Sequence, residues 1–308
     1  MQYHSNGKLM LTGEYLALDG AITLALPTKF GQSLQVEKKQ SDNGSILKWN
    51  SINNVENSWF TAEIQINNFT ILKTSDKKTA ETLIKILKSA QKLSNKEVFE
   101  SQKSYQVTTR LEFPRNWGLG SSSTLLNNIA DWFEIDVLTL FFNVFNGSGY
   151  DVACAKSNTP ILYQKKAKEA TISPIKFPPD FSDKIYFVHL NQKQNSYAEI
   201  KEYQKKTKKD ESYYQKVQRI SEISTALTTV SDLQTFENLL KEHENIVAKI
   251  LHQQPIQQKL FPDYQGGIVK SLGAWGGDFI LVTGNKNDKQ YFTEKGYKII
   301  LNYSDMIL

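Results

Sequence analysis

A glycine- and serine-rich segment near the middle of the chain has residues that could bind phosphate. The segment reads Trp117-Gly118-Leu119-Gly120-Ser121-Ser122-Ser123. Alternating β-branched and aromatic residues at 105–113 predict a strand before it, and regularly spaced apolar residues predict a helix after it. A turn that opens a helix presents unpaired N–H groups and hydroxyls at the positive end of the helix dipole. The segment therefore predicts a phosphate site.

The segment alone leaves more than one interpretation open. Its serines could simply cap a helix that follows a strand. A dinucleotide-binding fingerprint would have a third glycine, whereas this segment ends in serine and lies outside a repeating βαβ pattern. A Walker A loop is excluded, because no Gly-Lys-Ser/Thr with the required upstream glycine occurs.

Two charged residues elsewhere could take part in phosphate chemistry. Lys8 begins the segment 8–15, which the alternation predicts to be a strand. Asp151 follows the glycine-rich loop 146–150 and precedes the apolar run 152–155, so its carboxylate is expected at the mouth of buried structure. A buried carboxylate needs a partner, and a lysine such as Lys8 could keep it ionised. The ordinary alternatives are a solvated surface lysine and a turn-forming aspartate.

A second turn dense in glycine lies at 271–277, directly after Lys270. Glycines in such a turn allow backbone to approach backbone or ligand closely. The ordinary alternative is a tight loop before the predicted strand 279–283.

The remaining pattern predicts the elements that must position these residues. Strands are predicted at 8–15, 21–27, 32–38, 46–49, 59–66, 105–113, 185–190, 279–283 and 297–302. Helices are predicted at 79–93, after the glycine segment, and at 212–228, 233–251 and 288–294. Prolines near 160, 174 and 178 mark a domain boundary. The order β-α-α-β-α-β beyond it predicts a split α+β sandwich for the second half.

Composition limits the class of protein. The chain has 308 residues, a net charge of +5 carried almost entirely by lysine, and one cysteine, Cys154. Nucleic-acid readers rely on arginine-rich patches, so a small anionic substrate is the better expectation. No apolar run has the length of a membrane span, no signal peptide is evident, and the four histidines lack metal-ligand spacing. We therefore expect a cytoplasmic protein with neither nucleic acid nor membrane as a partner.

Taken together, four segments resemble the GHMP kinase superfamily, which includes galactokinase, homoserine kinase, mevalonate kinase and phosphomevalonate kinase. The family's phosphate loop, Pro-x-x-x-Gly-Leu-Gly-Ser-Ser, matches 114–122 at every fixed position. Its first motif matches Gly7-Lys8 and Gly13-Glu14-Tyr15. The loop with its aspartate matches Ser148-Gly149-Tyr150-Asp151. Its third motif resembles 271–277, with Leu272 and Trp275 as departures.

The resemblance implies an α+β, two-domain GHMP kinase fold with the active site between the domains. An N-terminal ribosomal protein S5 domain 2-like, ATP-binding domain would cover 1–158, and a C-terminal ferredoxin-like domain would cover 159–308. The implied cofactors are ATP and Mg²⁺. The ATP-binding residues would be Trp117, Gly118, Leu119, Gly120, Ser121, Ser122, Ser123, Gly273, Gly276 and Gly277.

The resemblance also implies roles in catalysis. Asp151 would orient or deprotonate the acceptor hydroxyl. Lys8 would lower the pKa of Asp151 and stabilise the charge on the transferred group. Ser122 would help to hold Mg²⁺. The acceptor would contact Glu14, Tyr15, Ser148, Gly149 and Lys193.

Within the superfamily the loops look most like those of phosphomevalonate kinases, and next like those of mevalonate kinases. The implied protein is an ATP-dependent kinase, monomeric or homodimeric, that phosphorylates a small anionic or polar metabolite of the isoprenoid-precursor type. One departure leaves alternatives open: residues 138–149 contain no acidic residue, where several family members have a metal-binding glutamate. A diphosphomevalonate decarboxylase-like enzyme and a non-catalytic ATP or metabolite sensor are the alternatives.

Overall fold

The computed structural model describes the chain except for residues 42–44, 168, 178, 193–195, 274 and 276. The described residues form two compact units, and the chain passes between them several times. The first unit comprises Met1–Gly7, Phe30–Arg115 and Gly120–Lys156, and the second comprises Lys8–Lys29, Asn116–Leu119 and Ser157–Leu308. The domain boundary at 158/159 stays a prediction.

The described chain contains runs of strands and runs of helices. The strands are β1 (Gln2–Met10), β2 (Thr23–Gln40), β3 (Ile46–Ile52), β4 (Ser58–Gln65), β5 (Thr70–Thr74), β6 (Lys103–Leu111), β7 (Ile161–Lys166), β8 (Glu169–Pro174), β9 (Ile185–His189), β10 (Val269–Ser271), β11 (Phe279–Thr283) and β12 (Ile300–Asn302). The helices are α1 (Lys77–Leu93), α2 (Ser121–Phe133), α3 (Val137–Val144), α4 (Tyr150–Lys156), α5 (Ser196–Lys206), α6 (Glu211–Ala226), α7 (Leu233–Leu251), α8 (Ile256–Leu260), α9 (Lys289–Glu294) and α10 (Tyr303–Met306). None of the described helices is long and apolar enough to cross a membrane.

The first unit is a sheet covered by helices. Its strands lie in the order β5-β4-β3-β6-β2, and all neighbours are antiparallel except the parallel pair β3 and β6. Alternate residues of β6, including Tyr105 and Val107, are buried in one cluster with Leu83 of α1 and Leu126 of α2. The period of two on the strand and the helical period on α1 and α2 bring these side chains into one core.

The second unit contains a four-stranded sheet in the order β10-β11-β9-β12, with every neighbouring pair antiparallel. Helices α5 to α8, of which α6 and α7 are the longest, lie between β9 and β10, and α9 connects β11 to β12. This β-α-β-β-α-β arrangement is the ferredoxin-like one, and it confirms the predicted architecture of the C-terminal half. Of the four strands of this sheet, the sequence pattern lacked β10, which has three residues, all buried.

Two predicted features of the N-terminal region are wrong. The strands predicted at 21–27 and 32–38 form the single strand β2. Gly31 does not end this strand: a Cβ at this position would lie 2.3 Å from the carbonyl oxygen of Ser5, so glycine allows a close approach of two backbones. The strand predicted at 8–15 ends at Met10, because the backbone at Gly13 and Tyr15 turns to positive φ values of 95° and 59°.

Candidate functional site

The predicted strand, glycine turn and helix are confirmed. Strand β6 ends at Leu111 and α2 begins at Ser121, with Gly120 as its N-cap in a left-handed conformation (φ 84°, ψ 47°). The first N–H groups of an α-helix have no acceptors within the helix, and Gly120 has no side chain to cap them. Helix α2 has no acidic residue in its first turn. The N-terminus of α2 is therefore electropositive and suited to bind an anion.

Lys8 holds the first half of the glycine segment, within the second unit. Its Nζ donates to the carbonyl oxygen of Gly118 at 3.1 Å, and its backbone N–H donates to the carbonyl oxygen of Leu119 at 2.9 Å. Gly118 has a φ of 67°, and a Cβ there would lie 1.8 Å from Oδ2 of Asp278. Only glycine fits this position, because both the backbone angle and the Asp278 carboxylate exclude a side chain.

An aromatic and histidine cluster supports the residues just before Gly118. His189 is 2% exposed; its Nε2 lies 3.2 Å from the carbonyl oxygen of Asn116, and its Nδ1 accepts from Asn191 N–H at 3.2 Å. Since Nδ1 accepts, Nε2 carries the proton and donates to Asn116. The Trp117 ring packs edge-on against Phe279, with the ring centroids 5.5 Å apart. No pattern in the sequence predicted that His189 contacts this segment.

Asp151 is tied to the start of α2 within the first unit. It lies in the first turn of α4, and its Oδ2 accepts a hydrogen bond from Ser123 Oγ at 2.7 Å. Ser123 is 2% exposed, whereas Ser122 beside it is exposed. The two serines therefore differ: Ser123 orients the Asp151 carboxylate, and the Ser122 hydroxyl faces solvent.

Buried polar contacts fix α2 behind its N-terminus. Thr124 Oγ1 donates to Gln32 Oε1 at 2.6 Å, and Asn128 Nδ2 donates to the Gln32 carbonyl oxygen at 2.8 Å. Ser5 Oγ donates to Asn128 Oδ1 at 2.7 Å. Because buried polar groups are costly when unpaired, this network fixes the helix against β1 and β2.

The other predicted site residues lie in the loop before α4, in the turn between β10 and β11, or outside the described residues. Ser148 is 9% exposed, and Gly149 has a φ of 84° just before α4. Gly273 has a φ of 68° and Gly277 is buried. Lys193 and Gly276 lie outside the described residues, so their assignments stay predictions.

Glu14 lies in a buried ion pair of the second unit. Its Oε1 is 2.5 Å from Nζ of Lys270, and both side chains are 1% exposed. His243 of α7, which is 0% exposed, accepts a hydrogen bond from Gly13 N–H at its Nε2, 3.0 Å away. This nitrogen is therefore unprotonated, and its 3.1 Å approach to Glu14 Oε2 is not a hydrogen bond. Burial opposes ionisation of Glu14, but the Lys270 ammonium holds the pKa of Glu14 below its ordinary value.

A second buried carboxyl lies next to this pair. Glu244 of α7 is 4% exposed, and its Oε1 accepts from the N–H groups of Ile256 and Ser271 at 3.1 and 3.3 Å. The contact to Ser271 caps the outer edge of β10, the last strand of the sheet. Burial raises the pKa of Glu244 from 4.5 to about 7, and this effect outweighs the opposing attraction of the Lys270 ammonium.

The raised pKa of Glu244 predicts a pH-dependent stability. The folded protein retains a proton here that the unfolded chain releases above pH 4.5, so this stabilisation is lost as the pH rises through 7. Glu244→Gln keeps the accepting oxygen and never ionises. Relative to the unchanged protein, its free energy of unfolding is expected to rise by about 2 to 3 kcal/mol from pH 5 to pH 8. Urea denaturation at several pH values measures this; parallel curves for the two proteins would contradict it.

The burial of His243 and Lys270 could have been predicted from the sequence. His243 falls on the apolar face of α7 formed by Phe236, Leu240 and Val247, so its burial follows from helical spacing. Lys270 interrupts an apolar stretch, and a lysine buried in this way needs an anionic partner. Neither signal identifies Glu14 as that partner, because 256 positions separate it from Lys270.

No metal centre made of protein groups is present in the described part of the chain. There, no three His, Cys, Asp or Glu side chains come together in a way that could hold a metal ion.

Comparison with known proteins was made by sequence and by structure. No protein-family model and no curated protein matches the chain. Among solved structures, the mevalonate kinase of Methanococcus jannaschii matches with a TM-score of 0.67 and 15% identity over 98% of this chain and 97% of that one. The phosphomevalonate kinase of Streptococcus pneumoniae in complex with phosphomevalonate and AMPPNP matches with a TM-score of 0.66 and 15% identity over 100% and 98%. The galactokinase of Lactococcus lactis complexed with galactose matches with a TM-score of 0.67 and 13% identity over 95% and 87%.

These matches define the class of fold. All three are kinases of the GHMP superfamily, and each match covers nearly the whole of this chain. The chain therefore has the GHMP kinase fold, and the α+β, two-domain fold predicted from its sequence motifs is confirmed. At 13 to 15% identity the likeness is one of fold.

Proposed function

We propose that this protein is an ATP-dependent phosphotransferase that acts on a small metabolite. The observation that carries the proposal is the hydrogen bond between Ser123, in the first turn of α2, and Asp151, in the first turn of α4. It brings a carboxylate to the electropositive start of a helix that follows a glycine turn. A phosphate site beside a carboxylate that can receive a proton is what transfer of a phosphoryl group to a hydroxyl requires.

In this proposal the ATP phosphates lie on the backbone N–H groups of Gly118 to Ser123, and Gly273, Gly276 and Gly277 close around the nucleotide. Lys8, which holds the Gly118 carbonyl, keeps the segment in shape and adds positive charge. Mg²⁺ bound to the nucleotide neutralises phosphate charge, and the exposed hydroxyl of Ser122 is the protein group we assign to it. The absence of acidic residues from the first turn of α2 fits a site for nucleotide phosphates.

Asp151 is assigned to the acceptor hydroxyl. Phosphomevalonate would attack through a phosphate oxygen that is already ionised, so with that acceptor Asp151 has no proton to take. With mevalonate, Asp151 orients the hydroxyl and takes its proton as the new P–O bond forms. Ser123 donates to one carboxylate oxygen and so leaves the other available to the acceptor. The leaving group is ADP, and the displaced proton passes from Asp151 to solvent.

For the acceptor we propose an isoprenoid precursor, phosphomevalonate or mevalonate. The proposal is supported by the loop sequences and by the likeness to mevalonate and phosphomevalonate kinases. Galactokinase has a similar fold, so a sugar is also to be tested. Ser148, Gly149 and Lys193 are the residues we assign to the acceptor.

A screen for ADP release tests the function. Purified protein with ATP and Mg²⁺ is offered mevalonate, phosphomevalonate, diphosphomevalonate, homoserine or galactose, and ADP and CO₂ are both measured. We expect ADP release with one of the two mevalonate compounds and no CO₂. Release of CO₂ with diphosphomevalonate would assign a decarboxylase instead. Nucleotide binding without ADP release for any acceptor would overturn the proposal in favour of a sensor.

A further inference from the structure

Two adjacent residues of the loop after β1 contact the glycine turn between β10 and β11 at two places. Glu14 pairs with Lys270, just before the turn, and Tyr15 bonds to Trp275 within it. We propose that Glu14 and Tyr15 are positioning residues, here called the Glu14–Tyr15 clamp, that hold this turn in the shape that binds nucleotide. The proposal deepens the proposed function and rests on it for the identity of the ligand.

The first contact of the clamp is made by charge. Lys270 Nζ donates to Glu14 Oε1 at 2.5 Å and to the Ser271 carbonyl oxygen at 2.7 Å. The ammonium therefore joins Glu14 to the backbone at the first residue of the turn. Because Glu14 and Lys270 are each 1% exposed, water does not compete for this contact.

The second contact is made by a hydroxyl. Trp275 N–H donates to Tyr15 Oη at 2.9 Å, and the same hydroxyl donates to the Glu199 carboxylate of α5. The Tyr15 ring packs against Tyr203 of α5, with the ring centroids 5.2 Å apart. Burial raises the pKa of Tyr15, so the hydroxyl stays protonated and able to donate while it accepts from Trp275.

The backbone of Tyr15 is strained, which indicates that its surroundings impose its position. Its φ of 59° and ψ of −43° lie in a region that residues with a side chain rarely adopt. The hydrogen bond from Gly13 N–H to the buried His243 fixes the residue two positions earlier. Strain of this kind persists where the local structure is over-determined, and it concentrates at functional sites.

The clamp accounts for how a glycine-rich turn keeps one shape. Gly273 and Gly277 give the turn many accessible conformations, so ordering it costs entropy. Contacts at Lys270 and Trp275 fix the turn at two points five residues apart. A turn fixed before nucleotide arrives binds with a smaller loss of entropy than one that orders on binding. Glu14 and Tyr15 therefore act on the ligand through the turn and need not touch an acceptor.

The variant Tyr15→Phe tests the clamp with little change of shape. It removes the Tyr15 hydroxyl, which accepts from Trp275 N–H, and keeps the ring against Tyr203. In protein without nucleotide, hydrogen exchange at the amides of Leu272, Trp275 and Gly277 is expected to accelerate about tenfold. In the active enzyme, KM for ATP is expected to rise several-fold while kcat stays within about twofold. Unchanged exchange in the turn would overturn the proposal.

Two control variants separate the clamp from other effects. Glu199→Gln keeps an acceptor for the Tyr15 hydroxyl and is expected to leave exchange in the turn unchanged. If it accelerates exchange as Tyr15→Phe does, the hydroxyl acts through α5 and the proposal is wrong. Tyr214→Phe, at a tyrosine that is 53% exposed, is the matched control for the loss of a hydroxyl.

The exchange measurement also separates this inference from the proposed function. Exchange in nucleotide-free protein requires no catalysis, so it reports on the clamp alone. If no acceptor is phosphorylated but exchange accelerates in Tyr15→Phe, the proposed function fails and the clamp stands. If the protein is an active kinase but exchange is unchanged, the clamp fails and the function stands.

Discussion

Asp151→Asn is expected to lower kcat for ADP release by about 10²- to 10⁴-fold, the range that a general base contributes. The amide oxygen of asparagine can still accept the hydrogen bond that Ser123 donates at 2.7 Å, so the starts of α2 and α4 keep their contact. What the variant loses is a group able to take a proton. Affinity for ADP, measured by calorimetry, is therefore expected to change by no more than about twofold.

Ser123→Ala tests whether the Ser123 hydroxyl orients the Asp151 carboxylate. It keeps the carboxylate but removes its buried donor, so the carboxylate can rotate away from the acceptor. We expect a loss in kcat of about tenfold, smaller than that of Asp151→Asn. Asp183→Asn is the control for the aspartate-to-asparagine change in Asp151→Asn, since the Asp183 side chain is 71% exposed in the second unit. If Asp151→Asn retains more than a tenth of kcat, Asp151 is not the base.

Local sequence patterns predicted the helices and strands whose caps and apolar spacing are visible within the segment itself. Helix α7 was predicted at its observed ends, because Asp232 caps it and its apolar residues recur at helical spacing. Helix α3 was missed, since its sequence VLTLFFNV is apolar on nearly all sides and has no helical period to detect. Strand β10 was missed because three buried residues, one of them a lysine, show no alternation.

In the candidate site too, features set by local sequence could be predicted, and contacts between distant residues could not. The glycine segment could be predicted, because a strand, a turn and a helix N-terminus follow one another within about twenty residues. The pairing of Ser123 with Asp151 could not be predicted, since 28 positions separate the two residues and no local pattern distinguishes Ser123 from the serines beside it. Sequence resemblance assigned Glu14 and Tyr15 to the acceptor, whereas the structure engages their polar atoms with Lys270 and Trp275. These contacts arise from tertiary packing, which no local pattern encodes.

Lys270→Met is expected to destabilise the protein by about 3 to 5 kcal/mol at pH 7, the cost of leaving a buried carboxylate without its counter-charge. Methionine matches the lysine stem in length, so the loss is electrostatic rather than one of packing. Without the ammonium, burial favours the protonated form of Glu14. The penalty is therefore expected to shrink as the pH falls from 7 to 5, because Glu14 can then take up a proton. The free energy of unfolding in urea measures both effects.

The double variant Glu14→Gln/Lys270→Met separates the ion pair from the packing around it. Removing both charges leaves no buried carboxylate at position 14 without its counter-charge, so most of the lost stability is expected to return. Lys206→Met is the control: its pair with Glu202 is exposed, with side chains 68% and 62% accessible, and such pairs contribute about 0 to 1 kcal/mol. If the double variant is no more stable than Lys270→Met, the pair does not hold the loop by charge. If the double variant recovers stability but still shows fast exchange in the glycine turn, the ionic contact itself positions the turn, as the Glu14–Tyr15 clamp requires.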